Sequence, residues 1–250
     1  LDILAAGGGI LSTMRATQSA SEEQLEAKAS AALDEMLRFG TTTAEAKSGY
    51  GLSTGEECKA LRVIGKLQKH HVMDLAATFM GAHAVPETYR DNRQGYLELL
   101  CEEMLPAVQE QGIAEFCDVF CEKGVFSAEE SRRILLAGRQ HGLRPKIHAD
   151  EIEAIGGELA GEIGAVSAEH LIVCPPSGIA SMAEGGTVAC CLPATSFYLG
   201  AAYAPVQDMV QAGVPVAMAT DFNPGSCPCL NMQLVISLGC LRYRLTPEQS

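Results

Sequence analysis

Apolar stretches of strand length alternate with segments of helical period along the whole chain. Over residues 22–39, Leu25, Ala29, Ala32, Leu33, Met36 and Leu37 fall on one helical face. Ser21 and Gln24 form a capping box ahead of it, and Gly40 supplies a stop. Residues 41–47 then predict a strand. The same rhythm predicts helices over 54–69, 95–111, 127–142, 152–163, 177–183 and 205–212, and strands over 75–80, 115–121, 144–148, 165–170, 187–192 and 215–220. Alternation of this kind builds parallel sheets from βα units. No Pro/Gly/Ser-rich linker, repeat or low-complexity tract interrupts it, so residues 1–250 are expected to form one domain. Seven strands are one fewer than an eight-stranded α/β barrel contains, and an open doubly wound sheet is the competing fold.

The polar residues favour the barrel. Just past the strands stand Lys47 and Tyr50, His83, Glu122, His148 and Glu151, His170, Ser196, and then Asp221 and Asn223. A barrel gathers the exits of all its strands on one face, whereas an open sheet concentrates its chemistry at one switch point. His70, His71 and His141 end helices instead, where a cation complements the helix dipole. That leaves His83, His148 and His170 at strand ends. Asp221 follows the apolar run 216–219, where a carboxylate is costly to bury without donors or a cation; alone, it is as readily a turn cap ahead of Asn223-Pro224-Gly225. Imidazole and carboxylate together suit a borderline metal such as zinc or iron. Glu151, three residues after His148, can reach the same pocket as a proton carrier; in isolation it reads as an ordinary acid in the first turn of a helix.

Composition narrows the partners. A net charge of -13 supplies no clustered cationic face for nucleic acid, and an anionic substrate would have to be held by local cations or a metal. No apolar run approaches the length of a membrane span. The ten Cys lack a disulfide framework's spacing, and neither Cys227-Pro228-Cys229 nor the Cys117 and Cys121 pair has a matching second pair for zinc; free thiols in a reducing cytoplasm are expected. The opening Leu1-Asp2-Ile3-Leu4, with neither Met nor a basic n-region, is expected to be a cut.

Longer motifs add a resemblance. His148-Ala149-Asp150-Glu151, Ser167-Ala168-Glu169-His170-Leu171 and Ala219-Thr220-Asp221-Phe222-Asn223-Pro224-Gly225-Ser226 resemble strand-five, strand-six and strand-eight motifs of the amidohydrolases. Within them, Ala6-Gly7-Gly8-Gly9-Ile10, Thr42-Thr43-Ala44-Glu45-Ala46-Lys47-Ser48-Gly49-Tyr50-Gly51, Phe79-Met80-Gly81-Ala82-His83 and Phe197-Tyr198-Leu199-Gly200 are similar to the imidazolonepropionase family. The resemblance implies a TIM-type (β/α)8 barrel of the metal-dependent hydrolase kind. It also implies one divalent or trivalent metal ion, zinc or iron, held by His148, Asp221 and a His-x-His pair that this sequence does not contain. The first strand and a flanking β domain are therefore expected to be missing from the chain.

The implied reaction is hydrolysis of the imidazolone ring of 4-imidazolone-5-propionate to N-formimino-L-glutamate in histidine breakdown. Glu151, His170 and Asp221 are implied as catalytic, and Tyr50, His83, Glu151, Asn223, Gly225 and Ser226 as substrate-binding. Arg15 and Lys47 are candidates to assist the substrate's carboxylate. A small-molecule substrate is expected, with no nucleic acid or membrane partner, and a homodimer stays open. A deaminase of a purine, pteridine or pyrimidine on the same barrel, and a catalytically inactive fragment, stay open as alternatives.

Overall fold

The structure, a computed structural model, describes residues 10–250, so the motif at residues 6–9 lies outside the described residues. The chain forms two compact units: one runs to Val119 and includes Arg133–Arg144, and the other comprises Phe120–Arg132 with Pro145–Ser250.

In the first unit, helices Ile10–Ser19 and Glu22–Arg38 precede β1 (Thr43–Lys47). Both halves of the expected capping box form, with Ser21 N–H donating to Gln24 Oε1 at 2.9 Å and Gln24 N–H to Ser21 Oγ at 3.3 Å. Gly40 takes φ 91°, the left-handed conformation that ends a helix. The predicted apolar face is the one buried: Leu33 packs with Val63, Leu67 and Met73, flanked by Leu25, Ala29, Met36 and Leu37. Helix Thr54–His70 links β1 to β2 (Asp74–Ala82), and the two strands pair in parallel from Thr43 opposite Asp74 to Lys47 opposite Thr78. β2 pairs in turn with the start of β3 (Phe116–Cys121), with a register shift between Phe79 and Ala82. A Cβ at Gly81 would sit 2.6 Å from the Phe79 ring, and Tyr96 Oη donates to Gly81 O at 2.8 Å. The irregularity re-aims the strand exit that carries His83.

The helix expected over 95–111 forms as Arg93–Glu98, a π-helical stretch Leu99–Met104, and Leu105–Gln111. Pro106 has no N–H to donate four residues back, and the wider turn before it absorbs the lost bond. The two-residue strand β4 (Arg144–Pro145) follows, with Arg144 N–H donating to Glu115 O at 3.0 Å.

In the second unit the end of β3 pairs with β5 (Ile147–Ala149), followed by β6 (Ser167–His170), β7 (Val188–Cys191) and β8 (Val216–Met218), all parallel and in sequence order. Fully buried Ile147, Ala149, Ala168, Ala189 and Cys191 line these strands, as strands covered on both faces require. Register sets Phe120 opposite His148, His148 opposite Glu169, and Glu169 opposite Cys190.

One expected helix is much shorter than its pattern. Residues 152–163 carry helical spacing, yet the helix is Gly157–Glu162. The preceding N–H groups are captured by side chains, as described below. Among the described residues three helices have no counterpart in the periodicity, the first being Ile10–Ser19. Pro193–Leu199 opens with the proline that β7 runs into, and Met232–Arg242 is apolar on all sides and so has no periodic stripe. No helix among the described residues is long and apolar enough to cross a membrane.

Candidate functional site

In the second unit, His148 on β5 is buried and packs its ring edge-on to Phe120 (6.2 Å) and at a tilt to His170 (5.3 Å). His170 closes β6 with φ 71°, and Leu171 follows at φ 58°; this conformation is uncommon for side-chain-bearing residues and turns the strand sharply at its exit. Two bonds fasten that turn to the neighbouring strand exit: Leu171 N–H to Ala149 O at 3.0 Å and Val173 N–H to Asp150 O at 2.9 Å. His170 Nε2 lies 3.7 Å from Glu151 Oε2. The structure thus brings His148, His170 and Glu151 together, as strand-exit positions predict.

Two carboxylates hold the segment that carries Glu151. Asp150, fully buried and at φ 53°, accepts at Oδ1 from the N–H groups of Ile155 (2.9 Å), Gly156 (2.8 Å) and Gly157 (3.2 Å). Glu122, also buried, accepts from Ile152 N–H (2.9 Å) and Glu153 N–H (3.2 Å). With those donors taken, residues 151–156 stay a loop and the helix starts at Gly157. The packing admits no side chain at two of these positions: a Cβ on Gly156 would lie 2.7 Å from Ala149 Cβ, and one on Gly157 would collide with the Asp150 carboxylate.

Beside this cluster, Glu169 forms an ion pair with Lys146 (3.0 Å), and its Oε1 accepts from Ser167 Oγ at 2.7 Å. Both charges are buried, and neither would be tolerated there without the other. Glu169 Oε2 and His170 Nδ1, both buried, have no hydrogen-bond partner. A Glu169 carboxylate oxygen and a His148 ring nitrogen lie within 4.8 Å of each other. Leaving a buried polar atom unpaired costs on the order of 1–3 kcal/mol, and a cation relieves that cost at an imidazole or a carboxylate. Imidazole and carboxylate donors of this kind fit a metal ion.

Asp221 follows β8 at φ 53° and accepts from Thr195 Oγ1 at Oδ2, 2.6 Å. Asn223 shapes the adjoining turn. Its Nδ2 donates to Asp221 O (2.8 Å), while its Oδ1 accepts from Gly225 N–H (2.9 Å), Ser226 N–H (2.8 Å) and Ser226 Oγ (3.2 Å). The donors expected to face a substrate carboxylate thus bond inward.

Tyr50 and His83 belong to the first unit. Their rings meet edge-on at 5.0 Å, and His83 Nδ1 bonds Gly49 O at 3.0 Å. A carbonyl only accepts, so Nδ1 carries the proton and Nε2 is the basic nitrogen of the neutral ring. Glu57, fully buried, anchors the loop. Its Oε2 accepts from Gly49 N–H (2.9 Å), and its Oε1 from Gly51 N–H and Leu52 N–H (2.8 Å each). Burial pushes the Glu57 carboxyl above its ordinary range, against the pull of the Ser48 hydroxyl and these three N–H donors. Lys47 binds Glu45 at 2.6 Å and Asp118 at 2.8 Å, which places its ammonium in ion pairs along the strands. Arg15 is exposed on its helix.

Sequence reasoning missed Glu57, which looks like any acid in a helical first turn, as well as Asp150, Thr195 and the Lys146–Glu169 pair. All ten Cys are free thiols, as expected. Burial pushes Cys121 up to about 11 and Cys191 up to about 12, so both are inert, protonated side chains near neutral pH.

No protein-family model matches the sequence. Curated relatives cover all of it. The chain is 53% identical over 251 residues to the imidazolonepropionase of Alkaliphilus metalliredigens and 54% identical over 251 residues to that of Streptococcus gordonii. In both cases 100% of this chain aligns with 60% of the relative, so the chain spans about 60% of the length of these proteins. Among solved structures, 5-methylcytosine deaminase from Klebsiella pneumoniae superposes with a TM-score of 0.72 at 14% identity, covering 91% of this chain and 60% of that one. An adenosine deaminase from Xanthomonas campestris with bound zinc gives a TM-score of 0.64 at 15% identity, over 91% of this chain and 53% of that one. These structures share the fold of the metal-dependent hydrolase barrels. With more than half of its residues identical along its entire length, the chain is similar to proteins named imidazolonepropionase.

Proposed function

We propose that the complete protein hydrolyses the imidazolone ring of 4-imidazolone-5-propionate to N-formimino-L-glutamate, in the cytoplasm and with one zinc or iron ion. The observation that carries this reading is the identity, end to end, with proteins named imidazolonepropionase. The cluster of His148, His170 and Glu151 supports it chemically.

His148 and Asp221 would hold the metal. A bound zinc or iron supplies Lewis acidity at neutral pH. Thr195 Oγ1 orients the Asp221 carboxylate by donating to Oδ2 at 2.6 Å, and that carboxylate would hold the ion and accept the water's proton. Glu151 carries a proton to the ring nitrogen as the C–N bond breaks, and its 3.7 Å separation from His170 couples the two groups. His170 donates to the carbonyl oxygen as charge develops there.

Tyr50 and His83 would bind the imidazolone ring, with His83 Nε2 accepting from a ring N–H. Asn223, Gly225 and Ser226 would take the propionate. Binding there exchanges three bonds to Asn223 Oδ1 for bonds to the carboxylate.

The test is to supply the metal-loaded, full-length protein with 4-imidazolone-5-propionate and follow imidazolone absorbance and ammonia together. Loss of absorbance without ammonia is the expected result. An inert substrate would refute the proposal, and ammonia release from an aminated purine, pteridine or pyrimidine would replace it with a deaminase.

A further inference from the structure

Helix Thr54–His70 contributes Glu57, a carboxylate with no exposure to solvent, to a loop it does not belong to. The carboxylate binds three backbone N–H groups of the loop at 2.8–2.9 Å and also meets the Ser48 hydroxyl, which itself accepts from Met80 N–H at 3.0 Å. The loop needs such an anchor because Leu52 sits at φ 53°, a conformation unfavourable for a residue with a side chain, while Gly49 at φ 108° is freed from that cost by lacking a Cβ. Close packing completes the clasp. A Cβ on Gly51 would lie 2.5 Å from Glu57 N, and one on Gly49 would lie 3.0 Å from Met80 O.

Both groups proposed to meet the imidazolone hang on this clasp. Tyr50 lies between two residues whose N–H groups Glu57 holds. His83 is fixed through Gly49 O, the carbonyl of a residue whose N–H is likewise held. We propose that Glu57 is a positioning residue for substrate recognition, acting through the 49–52 backbone to set the orientation of Tyr50 and the tautomer of His83. This rests on Tyr50 and His83 taking the ring, as proposed above. Glu57 touches no substrate; its carboxylate orders the donors and acceptors that do.

Glu57→Gln tests it in the full-length, metal-loaded protein. The amide keeps one acceptor oxygen but turns an NH2 group toward an N–H that the second carboxylate oxygen now binds. The expected result is a KM for the imidazolone raised about tenfold with kcat and metal content within about twofold of wild type, the signature of lost binding shared by ground and transition states. In Tyr50→Phe protein the same substitution should raise KM by less, because the residue through which it acts has already been altered. The 15N resonances of the His83 ring supply a readout independent of turnover. Wild type should show a single Nδ1–H tautomer, and Glu57→Gln a mixture. Glu57→Asp, one methylene shorter, should restore part of the tautomer bias.

Unchanged His83 resonances together with an unchanged KM would overturn the proposal, as would a fall in melting temperature and active fraction with KM intact. If wild type leaves the imidazolone untouched, the proposed function falls, and the His83 resonances alone decide the role of Glu57.

Discussion

The two units build their reactive loops by the same device from different sources. In the first, a carboxylate from a helix reaches back to gather the N–H groups of residues 49, 51 and 52. In the second, Asp150 stands next to the residue it presents and gathers the N–H groups of residues 155–157, while Glu122 takes those of 152 and 153 from another strand exit. In each case a buried carboxylate satisfies backbone N–H groups of the loop with bonds to itself, and the loop gains one defined geometry. The difference lies in distance from the chemistry. Glu57 acts on groups proposed to bind, whereas Asp150 adjoins the residue proposed to move a proton.

That contrast breaks first at Glu151. Glu151→Gln should lower turnover about 10²–10⁴-fold while metal content and melting temperature stay unchanged. Unchanged turnover would remove its proton role and leave the second clasp without a catalytic purpose. Asp150→Ala comes next. It strands three N–H groups, those of Gly156 and Gly157 being buried, and should cost about 3 kcal/mol in urea unfolding. Hydrogen exchange should then rise across residues 151–157 and stay at wild-type rates over 49–52. Equal acceleration in both loops would mean that the two clasps are not independent.

Gly156→Ala sharpens the same point without touching a charge. The new methyl group would press on Ala149, 2.7 Å away, and should cost about 1–3 kcal/mol by thermal unfolding. A neutral substitution would show that the loop has slack. Ser21→Ala is the smallest expected change. Its capping bond is exposed and touches no residue proposed to bind or react, so about 1 kcal/mol of stability should be lost with KM and kcat unaltered.

The strands and most helices were legible because burial imposes a period on them. Glu22–Arg38 shows this most clearly, since its stripe, cap and stop all agree. Legibility failed where a distant side chain competed for the backbone. Ile152 and Ile155 have helical spacing, but nothing local reveals that Glu122 and Asp150 bind the N–H groups of residues 152, 153 and 155–157. It failed again at Met232–Arg242, where apolar residues all round erase the stripe. The candidate site divides the same way. The meeting of His148, His170 and Glu151 was accessible, because residues at neighbouring strand exits converge. Glu57 was not, because an acid in a first turn is commonplace and its role depends on a loop that folds back over it.

The sealed thiols give the molecule a clock in each half. Cys117 sits in the first unit and Cys191 in the second, both without solvent exposure, and burial raises both thiols above their ordinary range. An alkylating reagent at neutral pH therefore finds neither until its surroundings open, since only the thiolate reacts. The rate at which each sulfur is modified times the opening of its own unit, so a single labelling experiment can time both halves side by side.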